Sequence, residues 1–257
     1  MDASLLIAFL AMLAISVVFS MFGKGGGSLY TPVLVMLGYG VSVAISTSLF
    51  LNLVTALVAT MIFARNKLVD FKFSSIFLPG TIAGSFLGAL LSSRAPKELL
   101  LGIFSVFLAS VGTMMIFSAK EKTVHQDTRR FSDGVDVALV IVIFSFGVGV
   151  LSSLIGVGGG LIIFPFLVLY MRYPAQRAAG ANALIVTVSS MVGVVGHSTV
   201  GHIEYLLAGV TSVATAVGAA LGSYVTVKAS SRFVKLGFGF ILWFFAIELA
   251  LHLLGIL

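Results

Sequence analysis

Long apolar segments separated by short polar stretches run along almost the whole chain. A membrane-spanning helix needs about 20 predominantly apolar residues. By that measure the pattern predicts ten membrane segments, at residues 3–22, 29–40, 42–64, 74–93, 99–119, 137–155, 161–172, 176–199, 206–227 and 234–257. Residues 120–136 carry many charges without apolar periodicity and predict a hydrophilic linker between two apolar halves. The predicted fold is an all-α polytopic membrane protein.

Composition agrees with this prediction. Of the 257 residues 59% are hydrophobic and 9% charged, and the mean hydropathy is +1.17, whereas a soluble domain has about 25% charged residues. The chain has no cysteine, which excludes a disulfide-stapled secreted domain. The net charge of +6 is better explained by lysines and arginines that determine membrane topology than by a surface that binds nucleic acid. Segment 3–22 lacks the cationic start of a signal peptide and is predicted to stay in the membrane.

The two halves repeat one another. Three features recur in the same order at an offset of 133 or 134 residues. They are Gly23-x-Gly25-Gly26-Gly27-x4-Pro32 with Gly156-x-Gly158-Gly159-Gly160-x4-Pro165, Asp70-Phe71 with Glu204-Tyr205, and Gly84-x3-Gly88 with Gly218-x3-Gly222. We therefore expect an internal duplication, with a first membrane repeat at 1–119, the linker at 120–136 and a second membrane repeat at 137–257.

The lysines and arginines indicate how the two repeats are oriented. If the chain reverses at each glycine triplet, and Lys24 inside the first triplet is left out of the count, twelve of these residues lie on one side of the membrane and two, Arg94 and Lys97, on the other. Without the reversal the split is seven to seven. Positive charge marks the cytoplasmic side, so we expect inverted repeats of five segments each in the inner (plasma) membrane. Both termini would be extracytoplasmic and the linker cytoplasmic, and segments 29–40 and 161–172, about 18 Å long, would be half-helices.

The glycine triplets are the first candidate site. Backbone exposed at membrane depth must be buried in protein or line a cavity, and the first N–H groups of a half-helix form a ready anion site. Two inverted copies would bring two such ends to one cavity at the bilayer midplane. The alternative is that glycines only permit close helix crossings, which we prefer for Gly84, Gly88, Gly218 and Gly222.

Polar side chains near the triplets are further candidates. One group recurs at helical spacing in the first half: Thr47, Ser48, Asn52 and Thr55. The corresponding polar residues of the second half are Asn182, Ser189 and Ser190. Such groups could ligate an oxyanion or bond to backbone. Lys24 could attract the anion or extend to the membrane surface. The candidate substrate-binding residues are Lys24, Gly25, Gly26, Gly27, Ser28, Thr47, Ser48, Asn52, Gly158, Gly159, Gly160 and Asn182.

The remaining ionisable residues predict less. Glu248 and His252, four residues apart, favour a structural pair. His197 and His202 lie beside Glu204 without a cysteine or a further ligand, so we predict no metal site, and protons remain a candidate coupling ion.

The doubled Gly-x-Gly-Gly-Gly-x4-Pro motif, the Ser46-Thr47-Ser48-Leu49 stretch and the central linker resemble the TauE/SafE sulfite-exporter family, also known as the toluene-sulfonate uptake permeases. The resemblance covers about residues 10–255. It implies a secondary transporter of sulfite, sulfonates or related organosulfur anions, most often assigned to export. The second half reads Gly180-Ala181-Asn182-Ala183 and departs from the family's Thr-Ser pattern.

Transport is therefore the predicted function, with a small anion and the lipid bilayer as partners, and without cofactor or nucleic acid. The sequence has no nucleotide-binding Gly-x4-Gly-Lys-Ser/Thr loop, no zinc-protease His-Glu-x2-His motif and no Gly-x-Ser-x-Gly elbow, so we do not expect an enzyme. The alternatives are an anion channel, or a permease for another small anion or a carboxylate.

Overall fold

The computed structural model describes residues 3–91, 97–119, 135–155, 160–197 and 204–253, and every regular element in these ranges is helical. The α-helices are α1 (Ala3–Ser20), α2 (Gly27–Met36), α3 (Val41–Arg65), α4 (Phe71–Ser75), α5 (Phe77–Leu91), α6 (Lys97–Ser118), α7 (Val135–Ile155), α8 (Gly160–Pro165), α9 (Ala175–His197), α10 (Tyr205–Lys228) and α11 (Ser231–Leu253). A π-helix, Phe166–Tyr170, continues α8. Each predicted membrane segment overlaps one of these helices, and residues 120–134 of the predicted linker lie outside the described ranges.

Helix length and surface chemistry fit a membrane protein. Within the described residues, three helices are long and apolar enough to cross a bilayer: Val43–Arg65, Tyr205–Lys228 and Ser231–Leu251. Large apolar side chains cover their outer faces and those of the shorter helices: Phe86 and Val106 are each 69% exposed and Phe240 64%. Extended apolar surface of this kind is suited to lipid rather than to water. The prediction of an all-α polytopic membrane protein is confirmed.

The helices pack into two compact units, and each unit draws on both halves of the chain. The first contains Met1–Leu78 and Ala179–Lys228, and the second contains Pro79–Ala178 and Ala229–Leu257. These packing boundaries differ from the predicted repeats at 1–119 and 137–257, which stay a prediction about duplication of the sequence.

Equivalent helices of the two halves make equivalent contacts within each unit. In the first unit a Cβ added to Gly218 on α10 would lie 2.6 Å from the Leu13 carbonyl oxygen on α1. In the second unit a Cβ added to Gly84 on α5 would overlap the Phe146 carbonyl oxygen on α7. Leu13 and Phe146 are 133 residues apart, and Gly84 and Gly218 are 134 apart. These contacts confirm close helix crossings as the role of Gly84 and Gly218, and the duplication itself stays a prediction.

The π-helix explains why the repeat offset changes. The two prolines, Pro32 and Pro165, are 133 residues apart, whereas every shared feature downstream is offset by 134. The wider turns of the π-helix Phe166–Tyr170 accommodate an extra residue just after Pro165. Both segments then end in a left-handed residue, Gly38 at φ 91° and Arg172 at φ 52°, and these two residues are again 134 apart.

Two glycines of α10 give a matched stability test. We expect Gly218→Ala to destabilise the protein by about 1–3 kcal/mol because the new methyl group would press into α1. A Cβ on Gly209 would meet nothing within 4 Å, so Gly209→Ala should stabilise the helix by about 0.5–1 kcal/mol. Thermal unfolding of both variants in detergent measures the difference, and equal midpoints would contradict the assigned crossing.

Candidate functional site

A tight turn ends α1 immediately before the first glycine triplet. Gly23 has φ 65°, its N–H donates to the Ser20 carbonyl at 3.0 Å, and the Lys24 N–H donates to the Phe19 carbonyl at 3.1 Å. This pair of bonds is the Schellman arrangement, which places a left-handed glycine just past the helix end. A Cβ on Gly23 would also overlap the backbone of α9 at Ala179. Glycine is therefore required here twice, for its conformation and for close packing.

Two side chains from the second half hold the end of α1. The Thr226 hydroxyl donates to the Met21 carbonyl at 2.8 Å, and the Asn182 amide Nδ2 donates to the Phe22 carbonyl at 3.0 Å. Both bonds satisfy carbonyls that the helix itself leaves without partners. The candidate ligand Asn182 is fully buried, and this contact places it at the start of the glycine turn.

Lys24 is buried within this turn, with 3% of its surface exposed. Its ammonium Nζ donates to the Ser28 hydroxyl at 2.8 Å and lies 4.8 Å from the centroid of the Phe19 ring. This buried position does not fit the alternative in which Lys24 extends to the membrane surface. The side-chain nitrogen of Lys24 instead lies beside the first turn of α2.

The triplet glycines make room for two large side chains. A Cβ on Gly25 would overlap the Asn52 amide and lie 2.9 Å from the Asn52 carbonyl oxygen of α3. A Cβ on Gly26 would overlap the ring of Tyr30, which is fully buried. A Cβ on Gly27 would lie 3.1 Å from the Asn52 amide, a tight contact that small shifts can relieve. The triplet thus has a packing role, which the sequence pattern alone did not reveal.

Asn52 connects three helices at the start of α2. Its Oδ1 accepts a hydrogen bond from the Gly27 N–H at 3.0 Å, and its Nδ2 donates to the Ser190 hydroxyl of α9 at 2.7 Å. Gly26 is the N-cap of α2 and has no side chain to offer, so Asn52 takes over the capping role that Ser, Thr, Asp or Asn usually fills locally. The next N–H along this first turn belongs to Ser28.

The other three polar residues of α3 singled out in the sequence, Thr47, Ser48 and Thr55, divide into two groups. The Thr55 hydroxyl lies 2.9 Å from the Tyr30 phenol oxygen and bonds to the Leu51 carbonyl at 2.8 Å. Thr47 and Ser48 are 0% and 2% exposed, and among the described residues their hydroxyl oxygens have no hydrogen-bond partner. Thr55 is therefore structural, whereas the hydroxyl groups of Thr47 and Ser48 can form further hydrogen bonds.

The remaining candidates belong to the second unit or lie outside the described ranges. Gly160 is buried at the start of α8, in the second unit. Gly158, Gly159 and His202 lie outside the described residues, as do the side chains of His197 and His252. Glu248 is half-buried on α11. Among the described residues, no group of three His, Cys, Asp or Glu side chains could hold a metal ion.

Asn182→Ala distinguishes a structural amide from a ligand. Because Asn182 caps the Phe22 carbonyl, its removal should destabilise the protein by about 1–3 kcal/mol. Thermal unfolding in detergent measures this loss. A stability equal to wild type, combined with weaker anion binding, would instead assign the amide to the substrate.

The family match and the curated relatives of this chain all indicate a membrane transporter. Residues 8–249 match the family described as Sulfite exporter TauE/SafE. The probable membrane transporter protein YunE of Bacillus subtilis is 28% identical over 232 residues, 83% of this chain and 85% of that protein. YdhB, another probable membrane transporter protein of that bacterium, is 27% identical, with 88% and 90% covered.

An archaeal relative belongs to the same group. A probable membrane transporter protein of Methanocaldococcus jannaschii is 26% identical, with 84% of each chain covered. No solved structure matches the chain. The family match spans nearly all of the described helices, including the glycine turn and the capped start of α2. The chain therefore belongs to the sulfite exporter TauE/SafE family of membrane transporters.

Proposed function

We propose that this transporter carries small sulfur-containing anions, sulfite or an organosulfonate, out of the cell across the inner (plasma) membrane. The observation that supports this most strongly is the buried Lys24 ammonium beside the first turn of α2. A buried cation is costly unless its surroundings stabilise it, and a bound anion would do so. The N–H groups and the dipole of α2 attract the same sign of charge.

The length of α2 fits a site inside the membrane. Its ten residues span about 15 Å, half of the hydrocarbon core, so its first turn would lie at depth rather than at the surface. In the sequence a second triplet, Gly158, Gly159 and Gly160, leads into α8, which begins at Gly160. We propose that inverted repeats rock around the site at the start of α2 to give alternating access.

The two helix starts are chemically different. The second-half counterparts of Lys24 and Asn52, at offsets of 133 and 134, are Val157 and Val186. The first half thus carries the formal charge and most of the polar side chains, and the second carries the Asn182 amide. Thr47, Ser48 and Asn182 are proposed as further contacts. In this arrangement both termini are extracytoplasmic and the linker is cytoplasmic.

Flux into proteoliposomes tests the proposal. Radiolabelled sulfite uptake is measured with thiosulfate, sulfate, taurine or an aryl sulfonate as competitor, with and without a pH gradient. We expect saturable flux that counter-flow stimulates, and an effect of the gradient would identify protons as the coupling ion. Ohmic current would assign a channel, competition-sensitive flux of another anion alone would replace the substrate, and no flux of any anion would reject the proposal.

A further inference from the structure

The start of α2 is already occupied by a neutral oxygen of the protein. Because a backbone N–H can only donate, the Asn52 atom 3.0 Å from the Gly27 nitrogen must be the carbonyl oxygen Oδ1. The amide nitrogen then faces the Ser190 hydroxyl at 2.7 Å. An oxyanion that binds the first N–H of α2 must therefore replace Oδ1 there.

A second feature beside Asn52 indicates a ligand. Ser48 lies four residues before Asn52, so its side chain is on the same face of α3, one turn away. It is 2% exposed, and its hydroxyl oxygen has no hydrogen-bond partner in the part of the chain that the structure describes. A buried polar group without a partner is destabilising. Together with the Lys24 ammonium at Ser28, this hydroxyl gives Asn52 surroundings suited to an anion.

We propose that Asn52 is an internal competitor for the transported anion. Its amide oxygen occupies the position of an anion oxygen on the Gly27 N–H while the site is empty, and substrate displaces it. Hydrogen bonds to an ionised acceptor are roughly twice as strong as neutral ones, so displacement by an anion is favourable, whereas a neutral molecule gains little from it. This inference rests on the proposed function. In it Asn52 is a positioning residue, which acts on the anion through the Gly27 N–H.

Displacement of Asn52 also changes a contact between helices. The same amide donates to the Ser190 hydroxyl on α9. When the amide oxygen leaves the Gly27 N–H, the hydrogen bond to Ser190 must therefore reorient as well. Occupancy at the start of α2 is thereby transmitted through α3 to α9, all within the unit of Met1–Leu78 and Ala179–Lys228. The amide is a link between substrate binding and helix packing.

The sign of the effect of Asn52→Ala tests this inference. Removing a competitor should tighten sulfite binding to the purified protein by about 3- to 10-fold, the value of one hydrogen bond. Asn52→Asp keeps an acceptor for the Gly27 N–H but adds a negative charge, and should weaken binding by about 30-fold or more. Calorimetric titration with sulfite, and in parallel with benzenesulfonate, measures the dissociation constants of both variants.

Ser190→Ala keeps the test independent of how well Asn52→Ala folds. It frees Nδ2 of Asn52 and loosens the amide, so binding should tighten by about threefold. The matched control is Asn66→Ala. Asn66 is exposed at the end of the same helix, where its amide bonds to the Ile62 carbonyl at 2.8 Å, and its loss should leave affinity unchanged.

The outcomes separate this inference from the proposed function. Tighter binding in Asn52→Ala or Ser190→Ala, with Asn66→Ala unchanged, supports the competitor. Weaker binding in both variants, with saturable binding by the wild type, makes Asn52 a direct ligand and overturns the inference alone. A wild-type protein that binds none of the anions rejects the proposed function and this inference with it.

Discussion

Lys24→Met should abolish most anion binding while the protein stays folded. The substitution keeps the length and apolar stem of the side chain, which packs near the Phe19 ring, but removes the only formal charge that touches Ser28 among the contacts described. Hydrogen bonds to charged groups contribute about 1.5–3 kcal/mol. We therefore expect the half-saturation concentration for sulfite to rise about 10- to 100-fold in the flux assay.

Lys235 provides the matched control for this substitution. It is also buried, at 5% exposure, and its ammonium donates to the Ser118 hydroxyl at 3.2 Å in the second unit. Lys235→Met removes an equally buried charge from a place without a glycine triplet. If it raised the half-saturation concentration as much as Lys24→Met, loss of buried charge in general would explain the effect, and Lys24 would leave the site.

Gly26→Ala is expected to destabilise the protein and to displace the first turn of α2. The new Cβ would occupy the position of the Tyr30 ring, which is fully buried and whose hydroxyl lies 2.9 Å from the Thr55 oxygen. The ring cannot move without breaking that contact and its packing in the core cluster with Leu34 and Leu51. Overpacking of this kind costs about 1–3 kcal/mol, and the displaced first turn should lose transport as well.

A double substitution shows whether Tyr30 is the cause. Tyr30→Leu shortens the side chain and frees the space above Gly26, so its effect on thermal stability should not add to that of Gly26→Ala. We expect a favourable coupling of about 1–3 kcal/mol between the two. Additive effects would show that the glycine is needed for another reason. Gly27→Ala, with its Cβ 3.1 Å from the Asn52 amide, should be milder than Gly26→Ala.

The features that could be predicted from the sequence are those carried by periodicity and breaks. Apolar length located the membrane helices, and the glycine triplet before Pro32 located a break and a short helix, observed as α2. The matched glycines Gly84 and Gly218 indicated close helix crossings, and the contacts with α7 and α1 agree. Each of these depends on local composition, which the chain displays directly.

The features that could not be predicted depend on which helix faces which. The Asn52 cap on Gly27 joins residues 25 apart in the chain. The contact of Asn182 with Phe22 crosses from one half to the other. A polar residue in an apolar helix shows that a partner is needed, but not which one. The extra residue in the π-helix was visible only as a change of offset from 133 to 134.

The most direct test of the anion site is a crystal structure with selenite in place of sulfite. Selenite has the same charge and pyramidal shape, and selenium gives an anomalous signal that marks its position. We expect one peak at the first turn of α2, within hydrogen-bond distance of the Gly27 or Ser28 N–H and beside the Lys24 ammonium, with Asn52 moved off Gly27. Selenium bound elsewhere, with the Asn52–Gly27 hydrogen bond intact and sulfite flux still saturable, would contradict this site.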